Sequence, residues 1–239
     1  MAVPKTIGIL GGMGPEATVL MMQRIIEATP AKCDQDHIPL LVDNNPQVPS
    51  RIDHLIHRTG EDPGPVLARM AQRLQDMGAE ALAMPCNTAH RYAPVIEAGC
   101  DIPLINMVEA VADQIAGAMG PGARVGLLGS PALRLTGLFD APMQARGLHM
   151  IYPQDDGKLL HLIQTIKAEG PTSQARASLT EIAGQMRDRG VDRLVTACTE
   201  FSLLFRDLDL PVPSFDSLDA VCKAVVGFAL PQIPVRCAS

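Results

Sequence analysis

One feature restricts this chain more than any other: it repeats itself. The stretch GAEALAMPCNT (78–88) lies over GVDRLVTACTE (190–200), matching Gly78 with Gly190, Glu80 with Asp192, Leu82 with Leu194 and Cys86 with Cys198, 112 residues apart. Upstream, KTIGILGG (5–12) lies over ARVGLLGS (123–130), and downstream DIPLINMVEAV (101–111) resembles DLPVPSFDSLDAV (209–221) after a small slip. Any one match between parallel strands is weak, but three in the same order describe two copies of one unit. Short apolar runs at 6–10, 38–43, 81–84, 102–105, 124–128, 148–152, 193–196 and 212–215 read as buried strands. Helix-period segments lie between them, near 15–28, 64–77, 87–98, 107–119, 132–146, 157–168, 173–189 and 217–230. Strands alternating with helices imply right-handed crossovers and parallel sheet. The expected architecture is therefore α/β, in two pseudo-symmetric lobes with a cleft between them. The first lobe spans 1–106 and the second 107–216, with a C-terminal helix (217–239) packing back on the first.

Composition narrows the partners. With 20 basic against 26 acidic residues the net charge is −6, and nucleic acids and anionic membranes both call for a basic footprint. Aromatics make up 3% of the chain, with no Trp, which leaves no platform for stacking bases. No stretch approaches the roughly 18 unbroken apolar residues of a membrane span, and the opening MAVPKTIGILGGMGPEAT lacks a signal-peptide pattern. The expected partner is a small molecule, and the expected compartment is a reducing cytoplasm. In that setting the six cysteines (33, 86, 100, 198, 222, 237) are thiols and form no disulfide framework.

Two of the thiols stand out. Cys86 and Cys198 share one place in the repeat, just past an apolar strand and just before a helical pattern. Ligands of open parallel sheets bind outside the carboxyl ends of strands. The first N–H groups of a following helix favour a thiolate, so lowered thiol pKa values are expected at both positions. Two lobes facing across a cleft would present a thiol from each side. Such a pair suits removal of a proton from one face of a carbon and delivery to the other, which inverts a stereocentre.

The motifs IGILGGMGPEAT, DQDHIPLLVDNNPQVPSR (34–51), MPCNTAH (84–90) and CTE (198–200) resemble the aspartate/glutamate racemase superfamily, and most its aspartate racemase branch. The likeness runs to about residue 230, with one departure at Val195–Thr196–Ala197, where relatives often place glycine directly before the second cysteine. The resemblance implies a two-lobed fold, racemisation without pyridoxal phosphate or a metal, a homodimer, and catalytic roles for Cys86 and Cys198. It also implies that Met13 and its neighbouring glycines line the pocket, with Ser130 at the matching turn of the second lobe. Lys167 is implied as a substrate-binding cation.

The neighbouring residues have physical uses of their own. Asn87, Thr88, Thr199 and Glu200 follow the two cysteines; with helix N-terminal amides they are suited to hold an amino acid's carboxylate and ammonium. Asn87, Thr88 and Thr199 are equally suited to plain helix capping. Arg51 ends a turn-rich loop and is suited to clamp a carboxylate bidentately, which points to an acidic amino acid. His90, four residues after Cys86, falls on the same helical face, where it acts on the thiol, supplies half of a metal site, or is a bystander.

Other readings compete. GlyMetGlyProGluAla (12–17) with Asp43 fits a nicotinamide fingerprint, although the second lobe repeats the turn as GlySerProAlaLeu (129–133). A pyridoxal enzyme would reach the same product through a lysine. Glutamate, broad-specificity and hydantoin racemases, maleate isomerases and malonate decarboxylases share the scaffold. A two-lobed binding protein would need the cleft and no thiols.

Overall fold

The computed structural model describes residues 3–230, so residues 231–239 of the expected C-terminal segment lie outside the described residues. Ile7–Gly11 (β1), Leu40–Asn44 (β2) and Ala81–Ala83 (β3) form one sheet, ordered β2-β1-β3. Arg124–Gly129 (β4), His149–Ile151 (β5), Arg193–Ala197 (β6) and Ser214–Asp216 (β7) form a second, ordered β5-β4-β6-β7. Every pairing is parallel. Among the described residues ten α-helices flank the strands: Pro15–Ala28 (α1), Gly64–Asp76 (α2), Ala93–Glu97 (α3), Met107–Ala118 (α4), Pro131–Thr136 (α5), Asp140–Ala145 (α6), Asp156–Glu169 (α7), Ser173–Asp188 (α8), Thr199–Phe205 (α9) and Ser217–Ala229 (α10). Among the described residues no helix is long and apolar enough to cross a membrane.

The repeat governs packing down to single contacts. Ile7, Gly8 and Ile9 face Ala81, Leu82 and Ala83, just as Val125, Gly126 and Leu127 face Arg193, Leu194 and Val195. A Cβ on Gly8 would sit 3.0 Å from Ala79, 3.0 Å from Leu82 and 3.1 Å from Leu74. A Cβ on Gly126 would sit 2.8 Å from Leu194 and Met186 and 3.0 Å from Val191. The three neighbours correspond one for one across the 112-residue offset, so both strands need the same missing side chain for a helix to approach. The matched acids are also equivalent. Glu80 Oε2 accepts from the Thr6 N–H and Asp192 Oδ2 from the Arg124 N–H, each at 2.8 Å. Each acid thereby ties the opening strand of its lobe to the strand that carries the cysteine.

Alternation along the strands sorts the core into layers. Ile7, Ile9, Ala81 and Ala83 share a central core with Val125, Leu127, Val195 and Ala197, filled by α1, α4 and α10. The opposite faces are covered separately: Leu10 and Leu82 by α2 and α3, and Leu128 and Leu194 by α7 and α8. Helix α10 packs on α1 and α4, and the Lys5 N–H donates to the Ala229 carbonyl at 2.9 Å.

Three elements differ from the sequence expectation. The run 102–105 contributes a single bridge, Leu82 to Leu104, where its counterpart β7 pairs along its length. Strand β3 ends at Ala83, so there is no ladder to continue. The helix expected over 132–146 breaks into α5 and α6 at Gly137, whose φ of 62° ends the first. The segment 87–98 forms a tight turn, Thr88–Tyr92, followed by α3, because Pro94 has no N–H to carry a helix ladder through.

Candidate active site

Both cysteines emerge where their strands stop. Cys86 lies beyond Met84 and Pro85 after β3; Cys198 directly follows β6 and caps α9 with extended backbone (φ −144°, ψ 126°). Each is 8% exposed. All ten residues singled out from the sequence line one narrow chamber of about 50 Å³: Met13, Arg51, Cys86, Asn87, Thr88, Ser130, Lys167, Cys198, Thr199 and Glu200. Ser50, Ile52, Ile163 and Ala197 complete its walls. An outer vestibule of about 600 Å³ adjoins it, sharing Ser50, Arg51, Lys167, Thr199 and Glu200.

The turn after β1 delivers Met13 to this chamber, and Gly12 makes the turn possible. Its φ is +91°, and a Cβ there would lie 2.2 Å from the Asn45 carbonyl carbon, so no side chain fits. That demand accounts for Gly12, and an ion pair with Arg73 gives Asp43 a structural role. Ser130 caps α5 by accepting from the Ala132 N–H at 3.3 Å.

Arg51 leans back on its own loop. Its Nη1 donates to the carbonyls of Val48 (3.2 Å) and Pro49 (2.8 Å), and its buried Nε has no partner. The turn that follows, Asp53–His57, packs against α5 of the second lobe, so this loop spans the cleft. Asn87 is 2% exposed; its Nδ2 donates to Ser217 Oγ at 2.9 Å, and its Oδ1 is buried with no partner. Unsatisfied buried polar atoms are costly, and these two belong to residues that line the chamber. Thr199 is buried and Thr88 half-buried on its wall.

Glu200, which the sequence groups with Asn87, Thr88 and Thr199 as a substrate-binding residue, has both oxygens engaged within the protein. Its Oε2 accepts from the Cys198 thiol at 2.9 Å, and its Oε1 lies 3.3 Å from Lys167 Nζ. Burial pulls the Lys167 ammonium down, but Glu200 and the two cysteines outweigh it, so the group sits above its ordinary value. The expectation of a lowered pKa fails at Cys198: burial first, then Glu200, push its thiol well above the ordinary value, and Lys167 offsets only part. Helix α9 has seven residues, and its dipole does not compete with desolvation next to a carboxylate.

His90 has neither of its proposed chemical roles. Its Nδ1 is 2.8 Å from the Cys86 carbonyl, and its Nε2 accepts from the Met107 N–H at 3.1 Å. A backbone N–H only donates, so Nε2 is bare and Nδ1 carries the proton. Burial lowers the ring to a pKa of about 4, so it is neutral, and both nitrogens are occupied. His90 ties the Cys86 turn to the start of α4.

The sequence reading missed a buried cluster beneath the site. Arg24, 2% exposed on α1, pairs with Asp216 and Asp219 and donates to the Ser202 carbonyl at 2.8 Å. Asp216 caps α10 through the Leu218 N–H (3.0 Å) and accepts from Ser202 Oγ (2.7 Å). Burial keeps its carboxyl above the ordinary value despite Arg24. Its neighbour Ser217 is the residue that holds Asn87. The available signal was an arginine set among the apolar positions Met21 and Ile25 of α1.

Comparison with known proteins agrees with the fold. The Picrophilus torridus aspartate racemase superposes with a TM-score of 0.82 at 27% identity, covering 94% of each chain. The Francisella tularensis glutamate racemase, solved with D-glutamate, shares the fold alone, with a TM-score of 0.66 at 15% identity over 95% of this chain and 81% of that one. The broad specificity amino-acid racemase RacX of Bacillus subtilis is 24% identical over 225 residues, 92% of this chain and 96% of RacX. Residues 10–225 match the Asp/Glu/Hydantoin racemase family, and the chain belongs to it.

Proposed function

We propose that this protein inverts the α-carbon of an acidic amino acid, aspartate before glutamate, by proton transfer between Cys86 and Cys198 without a cofactor. One observation carries the proposal: two buried thiols from equivalent points of the repeat, one per lobe, line the same chamber as Arg51 and Lys167. One sulfur takes the Cα proton as thiolate, and the electron pair stays on carbon. The other sulfur, as thiol, returns a proton to the opposite face. A carbanion beside a carboxylate is poorly stabilised, so donors aimed at its oxygens must carry much of the catalysis. The hydroxyls of Thr88 and Thr199 are suited to that work. The free Nε edge of Arg51 suits a second carboxylate, and the bare Oδ1 of Asn87 suits the ammonium. The likeness to an aspartate racemase supports the acidic substrate.

A second reading, broad specificity, is favoured by the vestibule, where Pro46, Val48 and Leu203 offer apolar wall beyond the narrow chamber. A panel of D- and L-amino acids in heavy water, followed by circular dichroism and NMR with no cofactor added, separates the two. Aspartate is expected to exchange its α-hydrogen and invert fastest. Faster turnover of non-acidic substrates would establish the second reading, and no exchange by folded, reduced protein would end both. Cys86→Ser is expected to keep substrate binding and lower kcat by about 10²–10⁴-fold; unchanged turnover would refute the two-thiol mechanism.

A further inference from the structure

We infer that Glu200 is a positioning residue that holds the proton on Cys198, so that the two equivalent thiols work from opposite resting states. Cys198 rests as the acid, and Cys86 is the sulfur that receives the first substrate proton. This rests on the two-thiol racemase reading and deepens it.

The repeat makes the contrast visible. Two residues past each cysteine the first lobe has Thr88, an uncharged hydroxyl, and the second has Glu200. Glu200 is 8% exposed, and both of its oxygens are engaged: Oε2 with the Cys198 thiol at 2.9 Å, Oε1 with Lys167 Nζ at 3.3 Å. A carboxylate that accepts from a buried thiol favours the neutral sulfur. The other groups facing Cys198 are Lys167 from α7, Arg51 from the loop after β2, and Cys86 from the first lobe. Of these the lysine acts on it in the opposite direction to Glu200.

Proton bookkeeping follows. The Cα–H bond breaks as Cys86 gains S–H; then the Cys198 S–H breaks as Cα–H forms on the other face. Product release leaves Cys86 as thiol and Cys198 as thiolate. Resetting returns a proton to Cys198 beside Glu200 and releases one from Cys86 to solvent. Two enantiomers have equal free energy, so kcat/KM must be the same in both directions. The asymmetry therefore shows in kcat and KM separately, raised together for the enantiomer that needs the rarer protonation state.

The direct test needs no substrate. The full chain is alkylated with iodoacetamide between pH 6 and 10, and each cysteine's rate is read by peptide mass spectrometry. A thiolate displaces iodide, so the pH midpoint reports the protonation of that sulfur whatever its access. The Cys198 midpoint is expected above that of Cys86. Glu200→Gln is expected to lower the Cys198 midpoint by about one pH unit, a tenfold gain in rate below it, with Cys86 unmoved. Lys167→Met is expected to raise the same midpoint. Opposite shifts are not what loosened packing produces, and the second variant stands should the first fail to fold. A Cys198 midpoint at or below that of Cys86, or one that either variant leaves unmoved or shifts the other way, would overturn the inference. If these shifts appear while no amino acid is inverted, the racemase reading fails and the Glu200 assignment stands. Inversion by an enzyme whose two midpoints coincide would show the reverse.

Discussion

Set side by side, the turns after β3 and β6 hold their cysteines by different means. In the first lobe, neutral His90 runs from the Cys86 carbonyl to the first N–H of α4, and the uncharged Asn106 caps that helix. In the second, the equivalent of His90 is Ser202, which donates to Asp216, the charged cap of α10. That charge brings in Arg24 from α1, so a buried ion pair ties the first lobe to the second. Duplication thus preserved the frame and divided the chemistry: one neutral half and one charged half, with Glu200 on the charged side. For the two-thiol mechanism proposed above such a difference is useful, because two identical thiols would share one resting state.

The largest test of this contrast is stability. Arg24→Met strands the buried Asp216 carboxylate and is expected to cost about 3–5 kcal/mol in urea unfolding. In the neutral half the residue equivalent to Asp216 is Asn106, and Asn106→Ala removes only a cap, at an expected cost of about 1 kcal/mol. Equal costs would break the distinction.

Acid titration probes the neutral half. His90 is lowered to about 4 by burial, whereas an unfolded histidine titrates near 6.5. A depressed folded pKa contributes stability that is present above the unfolded value and lost as pH falls through the folded one. The chain is therefore expected to lose about 2 kcal/mol between pH 6.5 and 5 from this residue, before most carboxylates titrate. His90→Gln should flatten that slope in thermal melts across the range, and an unchanged slope would assign the loss elsewhere.

The smallest effect is expected where the halves are alike. Glu80→Gln and Asp192→Asn each weaken one charge-assisted bond to a strand N–H, at about 1 kcal/mol or less. The two should agree within about 0.5 kcal/mol, a difference chemical denaturation of paired samples resolves. A clear inequality would mean that the frame is less symmetric than its register.

Much of this was legible in the chain itself. The repeat announced two parallel units, and its acids Glu80 and Asp192 and its strand glycines Gly8 and Gly126 have matching contacts. Nine of the ten residues drawn from the sequence line one chamber because the strand ends of both sheets and the segments just beyond them gather there, and Lys167 is added from the last turn of α7. The unexpected features came from residues whose roles depend on distant partners. Nothing near Arg24 in sequence indicates Asp216, 192 positions away. Nothing near Asn87 indicates Ser217; Glu200 stands two residues from Cys198 in sequence, but how deeply the pair is buried is visible only in the fold.

Sequence by itself determined what is periodic and local: the strand and helix pattern, the duplication, and the residue types delivered to the ends of β3 and β6. Tertiary structure alone decided which atoms meet across the lobes and how dry they are. Hydrogen bonds, ion pairs and proton affinities respond to distance and burial, and neither quantity is carried by the order of residues along a chain.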